Sequence, residues 1–350
     1  MTRMIRQSMT AYATPLCETI VEAPEPRGTE VLVRISSCGV CHSDLHLYDG
    51  YFSLGGEKKL DVTAGRPLPF TLGHEIAGVV EKAGPDADVK IGASAAVFPW
   101  IGCGECAACR AGEENLCAAP RHLGIQVDGG FATHVLVPHP RYLIDHGSLP
   151  ATLAGAYMCS GLTAFSALKR LTEQAKRGPV LLVGLGGVGM MGLAFALALF
   201  PHKPFVADID ASKREAALKA GAAAAYDPAD PAARKALFKA TGGVHGAVDF
   251  AGTDGSLAFA TGALARGGKV VITGLIGGTY TAPIAMFPLR VFGIEGTMTG
   301  TLAEAHEMMA LARAGKIPPV PIIERPLSAA QASLDDLFGG KVVGRIVLTP

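Results

Sequence analysis

The chain has 350 residues, with 31 basic and 31 acidic side chains and a formal net charge of zero. That balance leaves no footprint for a polyanion and excludes nucleic acid as an expected partner, in favour of small molecules or further copies of the chain. The length predicts two domains, each with a sizeable core, and eight cysteines in such a chain do not make a disulfide scaffold.

The N-terminal residues, MTRMIRQSMTAYA, are basic, but no apolar core follows them. A secretory signal is therefore not expected, and a cytoplasmic location is. From about residue 5 to 155, short apolar runs at Val31 to Ile35, Ile76 to Glu81 and Thr133 to Val137 are broken by Gly, Pro and Asp clusters. They predict a mostly β domain with long loops. The stretch from Tyr48 to Phe70 reads as a surface excursion. Ligand-type side chains crowd two patches, Cys41-His42-Ser43-Asp44-Leu45-His46 and Gly73-His74-Glu75. Cys103, Cys106, Cys109 and Cys117 then form C-x2-C-x2-C-x7-C. Four thiolates so spaced can wrap one tetrahedral zinc and leave no position open, which is a structural site. Disulfides and an iron–sulfur cluster are the alternatives.

Leu153 to Leu171 predicts a helical connection. Cys159 inside it reads equally as a ligand and as a small buried hydrophobe. The 22 uncharged residues from Pro179 to Phe200 have the length of a membrane span. Their glycine cluster makes them a buried strand followed by a helix packed on a sheet, so no membrane partner is expected. Val180 to Val183 is the strand, and Gly184, Gly186 and Gly189 form G-x-G-x-x-G. The first glycine allows a tight turn, the second lets backbone approach a pyrophosphate, and the third lets helix and strand touch. The helix beginning near Gly187 and Val188 points unpaired N–H groups at the phosphates. Asp208 ends the next strand, Phe205 to Asp208, where a carboxylate accepts a ribose 2′-hydroxyl and repels a 2′-phosphate. This pattern selects NAD over NADP.

Further along, Ser212 and Glu215 suggest a capping box for a helix to Ala220. A helix follows near Pro231 to Lys239, then a strand at Ala247 to Phe250, a helix at Leu257 to Leu264 and a strand at Lys269 to Thr273. Val291 to Ile294 is expected at a sheet edge. Thr301 and Glu304 suggest a second capping box, for a helix to Arg313. The tail, Val342 to Leu348, is β again and is expected to return to the first domain. Alternating strands and helices predict a parallel sheet covered on both faces.

Taken together, C-G-V-C-H-S-D at 38–44, G-H-E at 73–75, the four-cysteine loop, Cys159 and G-L-G-G-V-G at 184–189 give a specific match. The chain resembles the zinc-dependent medium-chain alcohol dehydrogenases over almost its full length. The resemblance implies an α/β protein with a mostly β GroES-like catalytic domain at 1–155. A doubly wound Rossmann nucleotide-binding domain at 156–295 follows, and residues 296–350 return to the catalytic domain. It implies that Cys41, His74 and Cys159 hold a catalytic zinc and that Cys103, Cys106, Cys109 and Cys117 hold a structural one, two per subunit.

In the same resemblance Asp44 orients the zinc-binding histidine, and Glu75 is the acid behind the metal that exchanges with a water ligand. His42 touches the cofactor pyrophosphate together with Gly184, Gly186, Gly187, Val188 and Gly189. Ser43 stands beside the substrate oxygen, and His46 ends a proton relay. The implied activity is NAD-dependent interconversion of primary or secondary alcohols with aldehydes or ketones, by a homodimer or homotetramer. The competing readings are a zinc-independent quinone or activated-alkene reductase of the same fold, and a nucleotide-sensing structural zinc protein without catalysis. Trp100 reads as a cleft wall or as core. Cys38 reads as a buried thiol and Cys17 as packing. His122 and the other histidines are expected to be structural or on the surface.

Overall fold

The computed structural model describes residues 2–350. Val31–Gly39 is the centre of a seven-stranded sheet, because its side chains are buried along nearly its whole length. On one side it pairs antiparallel with Glu75–Ala83, which leads to Ser94–Val97 and Leu143–Ile144. On the other it pairs with Arg345–Thr349, which runs parallel to Ile322–Pro326, while His134–Val137 also joins Val31–Gly39. The C-terminal strand thus completes the sheet begun near the N-terminus, with Val347 opposite Gly39.

The second sheet is entirely parallel. Its order is Ala225–Tyr226, Phe205–Ala207, Val180–Val183, Val244–Asp249, Leu264–Ile272 and Gly293–Gly296. Val180–Val183 is buried throughout, and its alternate side chains enter separate clusters, Val180 and Leu182 on one face and Leu181 and Val183 on the other. Both faces are therefore covered, as a parallel sheet requires. The chain winds outward from Val180–Val183 in one direction and then in the other. This reversal opens a crevice at the carboxyl ends of the 180–183 and 244–249 strands.

One long helix joins the halves. Ala151–Lys169 is apolar enough to cross a membrane by length and hydropathy, yet 83% of its apolar window is buried inside the protein. It packs on the Val31–Gly39 and Glu75–Ala83 strands at its start and on the Gly187–Leu199 helix at its end. The largest core cluster accordingly contains Val31, Phe98, Tyr157, Phe165 and Leu182. Within this helix, Tyr157–Gly161 is a π-helical turn. The extra residue per turn rotates the side chains there, a distortion that recurs at functional sites.

Several local expectations change. The 48–70 excursion contains a hairpin, Tyr51–Ser53 against Lys59–Asp61. The helix Ala211–Lys219 is capped by Asp210, whose side chain accepts from the Ser212 N–H, so Ser212 lies inside the helix and does not cap it. Val291 precedes the edge strand with a φ of 52° and is not part of it. The Thr301–Glu304 capping box is present and opens Leu302–Arg313.

Candidate active site

Three segments far apart in sequence meet at one point. Cys41 is the extended residue before the helix His42–Asp49. His74 precedes the strand Glu75–Ala83, and Cys159 sits in the π-helical turn. Their ligand atoms lie within 4.8 Å of one another, and the two sulfurs are 3.9 Å apart. His74 is fully buried and each cysteine is only 5% exposed.

Asp44 ties two of these segments together. Its Oδ2 accepts the Cys41 N–H at 2.9 Å, and its Oδ1 accepts the Gly73 N–H at 3.2 Å. The same Oδ1 lies 3.2 Å from His74 Nδ1. Both His74 ring nitrogens are buried, and neither makes a hydrogen bond among the described residues, although Nδ1 faces Asp44. A buried polar atom without a partner marks a missing one. Two thiolates and an imidazole nitrogen are a zinc donor set, and thiolates at about 2.3 Å from a tetrahedral ion stand about 3.8 Å apart, so the residues fit that metal.

The three side chains shift one another. A hydrogen bond from Cys159 holds the Cys41 thiol well below its ordinary range, while that contact and burial push Cys159 well above it. Burial works against a charge on His74, but Asp44 and Cys41 outweigh it and raise the imidazole well above its usual value.

Behind the trio stands Glu75, fully buried. Its Oε1 accepts from the Arg345 guanidinium and from the Ser160 N–H at 3.3 Å, and its Oε2 has no partner. Burial pushes its carboxyl up to about 7, with Arg345 pulling the other way. Arg345 also fills the space beside Gly187, where a Cβ would come within 2.6 Å of its Cδ. No motif singles out Arg345. The available signal is a lone cation inside the apolar run V-V-G-R-I-V-L-T.

His42 is exposed and Ser43 half-buried in the first turn of the 42–49 helix. Ser43 and His46 are three positions apart and so share a helix face. His46 is half-buried with its ring 4.6 Å from that of Phe52, and burial lowers its pKa against the pull of Cys41 and Asp49.

The glycine turn lies where the 180–183 strand ends. Gly184 has a φ of 86°, and a Cβ on Gly189 would overlap the Gly184 carbonyl. Gly186 faces open space, Gly187 opens the helix Gly187–Leu199, and Val188 is half-buried against the core. Asp208, 9% exposed, braces the turn: its Oδ2 accepts the Leu185 N–H at 2.6 Å and its Oδ1 the Asp210 N–H at 2.8 Å.

Trp100 is buried, its Nε1 donating to the Met158 carbonyl at 2.8 Å and its ring 5.6 Å from His74. Cys38 is buried outside the trio, and burial raises its thiol. Cys17 is exposed and not part of the packing. His122 is buried, with Nε2 unpartnered.

The second cluster is near the surface. Sulfur pairs among Cys103, Cys106, Cys109 and Cys117 are 3.5 to 3.9 Å apart. All eight cysteines are free, so the disulfide alternative falls. That spacing suits four thiolates on one ion, whereas a multi-iron cluster would hold them further apart. Backbone N–H groups of Glu105 and Cys106 point at Cys103 Sγ and bring that thiol down to about 6. Glu114 anchors the loop from beneath, its Oε2 accepting from the Gly102 N–H at 3.0 Å and the Tyr142 hydroxyl at 2.7 Å.

Residues 27–146 match the alcohol dehydrogenase GroES-like domain family, and residues 187–314 match the zinc-binding dehydrogenase family. The chain is 35% identical over 342 residues to an NAD-dependent alcohol dehydrogenase of Sulfurisphaera tokodaii, covering 96% of this chain and 97% of the relative. It is 30% identical to a D-arabinose 1-dehydrogenase (NADP(+)) of Saccharolobus solfataricus, covering 97% and 95%. Among solved structures, an alcohol dehydrogenase of Aeropyrum pernix superposes with a TM-score of 0.86 at 30% identity, covering 99% and 100%.

Proposed function

The chain belongs to the zinc-dependent medium-chain dehydrogenase/reductase family and is an NAD(P)-linked oxidoreductase of alcohols or carbonyls, and from that premise we propose the finer activity. It interconverts primary or secondary alcohols with aldehydes or ketones and uses NAD. Cys41, His74 and Cys159 hold a catalytic zinc, and Cys103, Cys106, Cys109 and Cys117 a structural one. The observation that carries this reading is the buried trio whose three ligand atoms converge within 4.8 Å of one another. A set of three protein ligands leaves room for substrate, which neither a zinc-independent reductase nor a purely structural protein requires.

When bound, zinc supplies the Lewis acidity that makes an alcohol hydroxyl acidic near neutral pH, and NAD takes the hydride. The protein's own residues hold the geometry and move the proton. Asp44 keeps a proton on His74 Nδ1, which turns the Nε2 lone pair toward the thiols and makes it a better donor. Ser43 accepts the hydroxyl proton, and His46, on the same helix face, is the outer end of the relay to water. Because burial lowers His46, its imidazole is neutral at pH 7 and able to accept. Arg345 offsets the charge of Glu75 behind the trio and packs beside Gly187, where the 187–199 helix begins. The helix N-terminus, with His42 nearby, favours an anionic cofactor group there.

Residues 1–155 and 296–350 form the catalytic unit, and 156–295 bind the cofactor. The chain works in the cytoplasm, where free thiols stay reduced, as a homodimer or homotetramer. Ile284, Leu289 and Val291, all exposed near the edge strand 293–296, support self-association.

Metal analysis giving two zinc per subunit and NADH formation with simple alcohols is the expected result. No turnover of any alcohol or carbonyl would overturn the reading. For the cofactor, NADPH should serve poorly in the wild type. Asp208→Ala should narrow the preference for NAD by about tenfold or more, and equal use of both cofactors by the wild type would refute the selectivity.

A further inference from the structure

Behind the wall that carries Trp100 lies a second cavity. Residues 99–101 and 121–123 run side by side, with the Arg121 N–H donating to the Ile101 carbonyl at 2.9 Å and the Leu123 N–H to the Pro99 carbonyl at 3.0 Å. Successive side chains in such a pair point to opposite sides. Trp100 and His122 meet edge to face at 5.3 Å on the side of the trio, with the Trp100 ring 5.6 Å from that of His74. Ile101, Arg121 and Leu123 face the other way and line a groove of about 550 Å³. No member of the trio borders it, and neither do Ser43, Asp44 and His46.

The groove has the make-up of a small-molecule site. Its volume falls within the range of about 300–1,000 Å³ usual for such sites, and like them it is mostly apolar with a few charged groups. Met4, Val135 and Leu136 join Ile101 and Leu123 in the apolar lining. Most of the charged groups are already engaged. Asp128 accepts the Thr71 N–H at 2.9 Å and Arg6 Nη1 at 2.7 Å, and Arg141 donates to Glu114 at 2.6 Å. His134 Nε2 is 3.2 Å from Glu81, and Glu30 turns its Oε2 to the Arg27 N–H of its own turn at 2.9 Å. Arg121 is exposed and forms no salt bridge among the described residues. It is left as the charge free to meet a ligand.

We propose that this groove is a second binding site, for a monocarboxylate with an apolar body of medium chain length. Arg121 pairs with the carboxylate, whose two oxygens match its planar fork, and the chain lies along Ile101, Leu123 and Leu136. A neutral apolar molecule would leave the Arg121 charge unused, and a small inorganic anion would leave the apolar lining wet. Because the groove only shares a wall with the trio, it fills while substrate and cofactor are bound.

The test is calorimetric titration of zinc-loaded enzyme, saturated with NADH, with octanoate. One octanoate per subunit should bind. Octanamide should bind about tenfold more weakly or worse, because a hydrogen bond between charged groups is lost, and shorter acids should weaken by about fourfold for each methylene removed. Arg121→Gln should bring octanoate down to the level of octanamide while kcat for alcohols stays unchanged. Arg121→Lys keeps the cation and should retain part of the affinity, which separates the charge from a folding defect. Cys41→Ala disrupts the trio and should bind octanoate as the wild type does. Absence of saturable binding, equal affinity in Arg121→Gln and wild type, or binding that vanishes in Cys41→Ala and so belongs to the trio's cleft, each overturns the proposal. None of these readings uses alcohol turnover, so failure of the oxidation reading would leave the groove to be judged separately.

Discussion

Cys103 and Cys117 bracket the four-cysteine cluster and are 14 positions apart, whereas Cys41 and Cys159 of the trio are separated by 118. The two sets present the same kind of sulfur atom under opposite conditions. The four-cysteine loop has an exposed Cys103 and lowers its thiol with local N–H groups, and its short closure costs little entropy. The trio is assembled only when the helix carrying Cys159 packs on the strands 31–39 and 75–83, and it is braced by a buried carboxylate. The local set can order its own lobe around a metal, while the distant set is ordered by the core. Stability should therefore depend on the first and chemistry on the second.

The sharpest way to break that contrast is a pair of substitutions. Cys41→Ala should remove one zinc and lower kcat by about 10³-fold or more, with a melting temperature close to that of the wild type. Cys106→Ser should remove the other zinc and lower the melting temperature by about 5–10 °C, while the remaining folded protein keeps most of its kcat. If Cys41→Ala melts as early as Cys106→Ser, the division of labour is wrong.

Asp44→Asn sharpens the comparison from inside the trio. The carboxylate that faces His74 Nδ1 and accepts two backbone N–H groups is lost as a charge but kept in shape, and metal affinity or turnover should fall about 10- to 100-fold. Metal titration separates this from a folding defect, since the four-cysteine site should fill normally.

The smallest effect concerns His46. An imidazole lowered by burial stays neutral, and so able to accept a proton, to a lower pH than an exposed one. Wild-type alcohol oxidation should hold its rate down through pH 7 and decline only below about 6.5. His46→Gln should slow it several-fold near neutrality, with a steeper dependence on hydroxide. A pH profile of kcat that superposes on the wild type would remove His46 from the relay.

The parts legible in the sequence share one property, which is that their partners are close in the chain. Gly184 to Gly189 with Asp208, the Thr301–Glu304 box and the four cysteines are all read from short spacings, and each is found in place. Where two neighbouring residues compete for one short-range role the sequence is less decisive, as Asp210 capping in place of Ser212 shows. Cys17 and Cys38 are chemically identical in sequence, and only packing leaves one exposed and buries the other.

The residue order by itself determined the two sheet types, the nucleotide turn and the local metal lobe, because hydrophobic period, glycine conformation and ligand spacing act over a few residues. Tertiary structure alone decided that a π-helical turn would aim Cys159 at Cys41 and that Arg345 would neutralise Glu75 from 270 positions away. It also left His122 buried with an unpaired nitrogen beside Trp100. Those contacts depend on how strands and helices pack, and a long-range approach leaves no periodic trace in the chain that makes it.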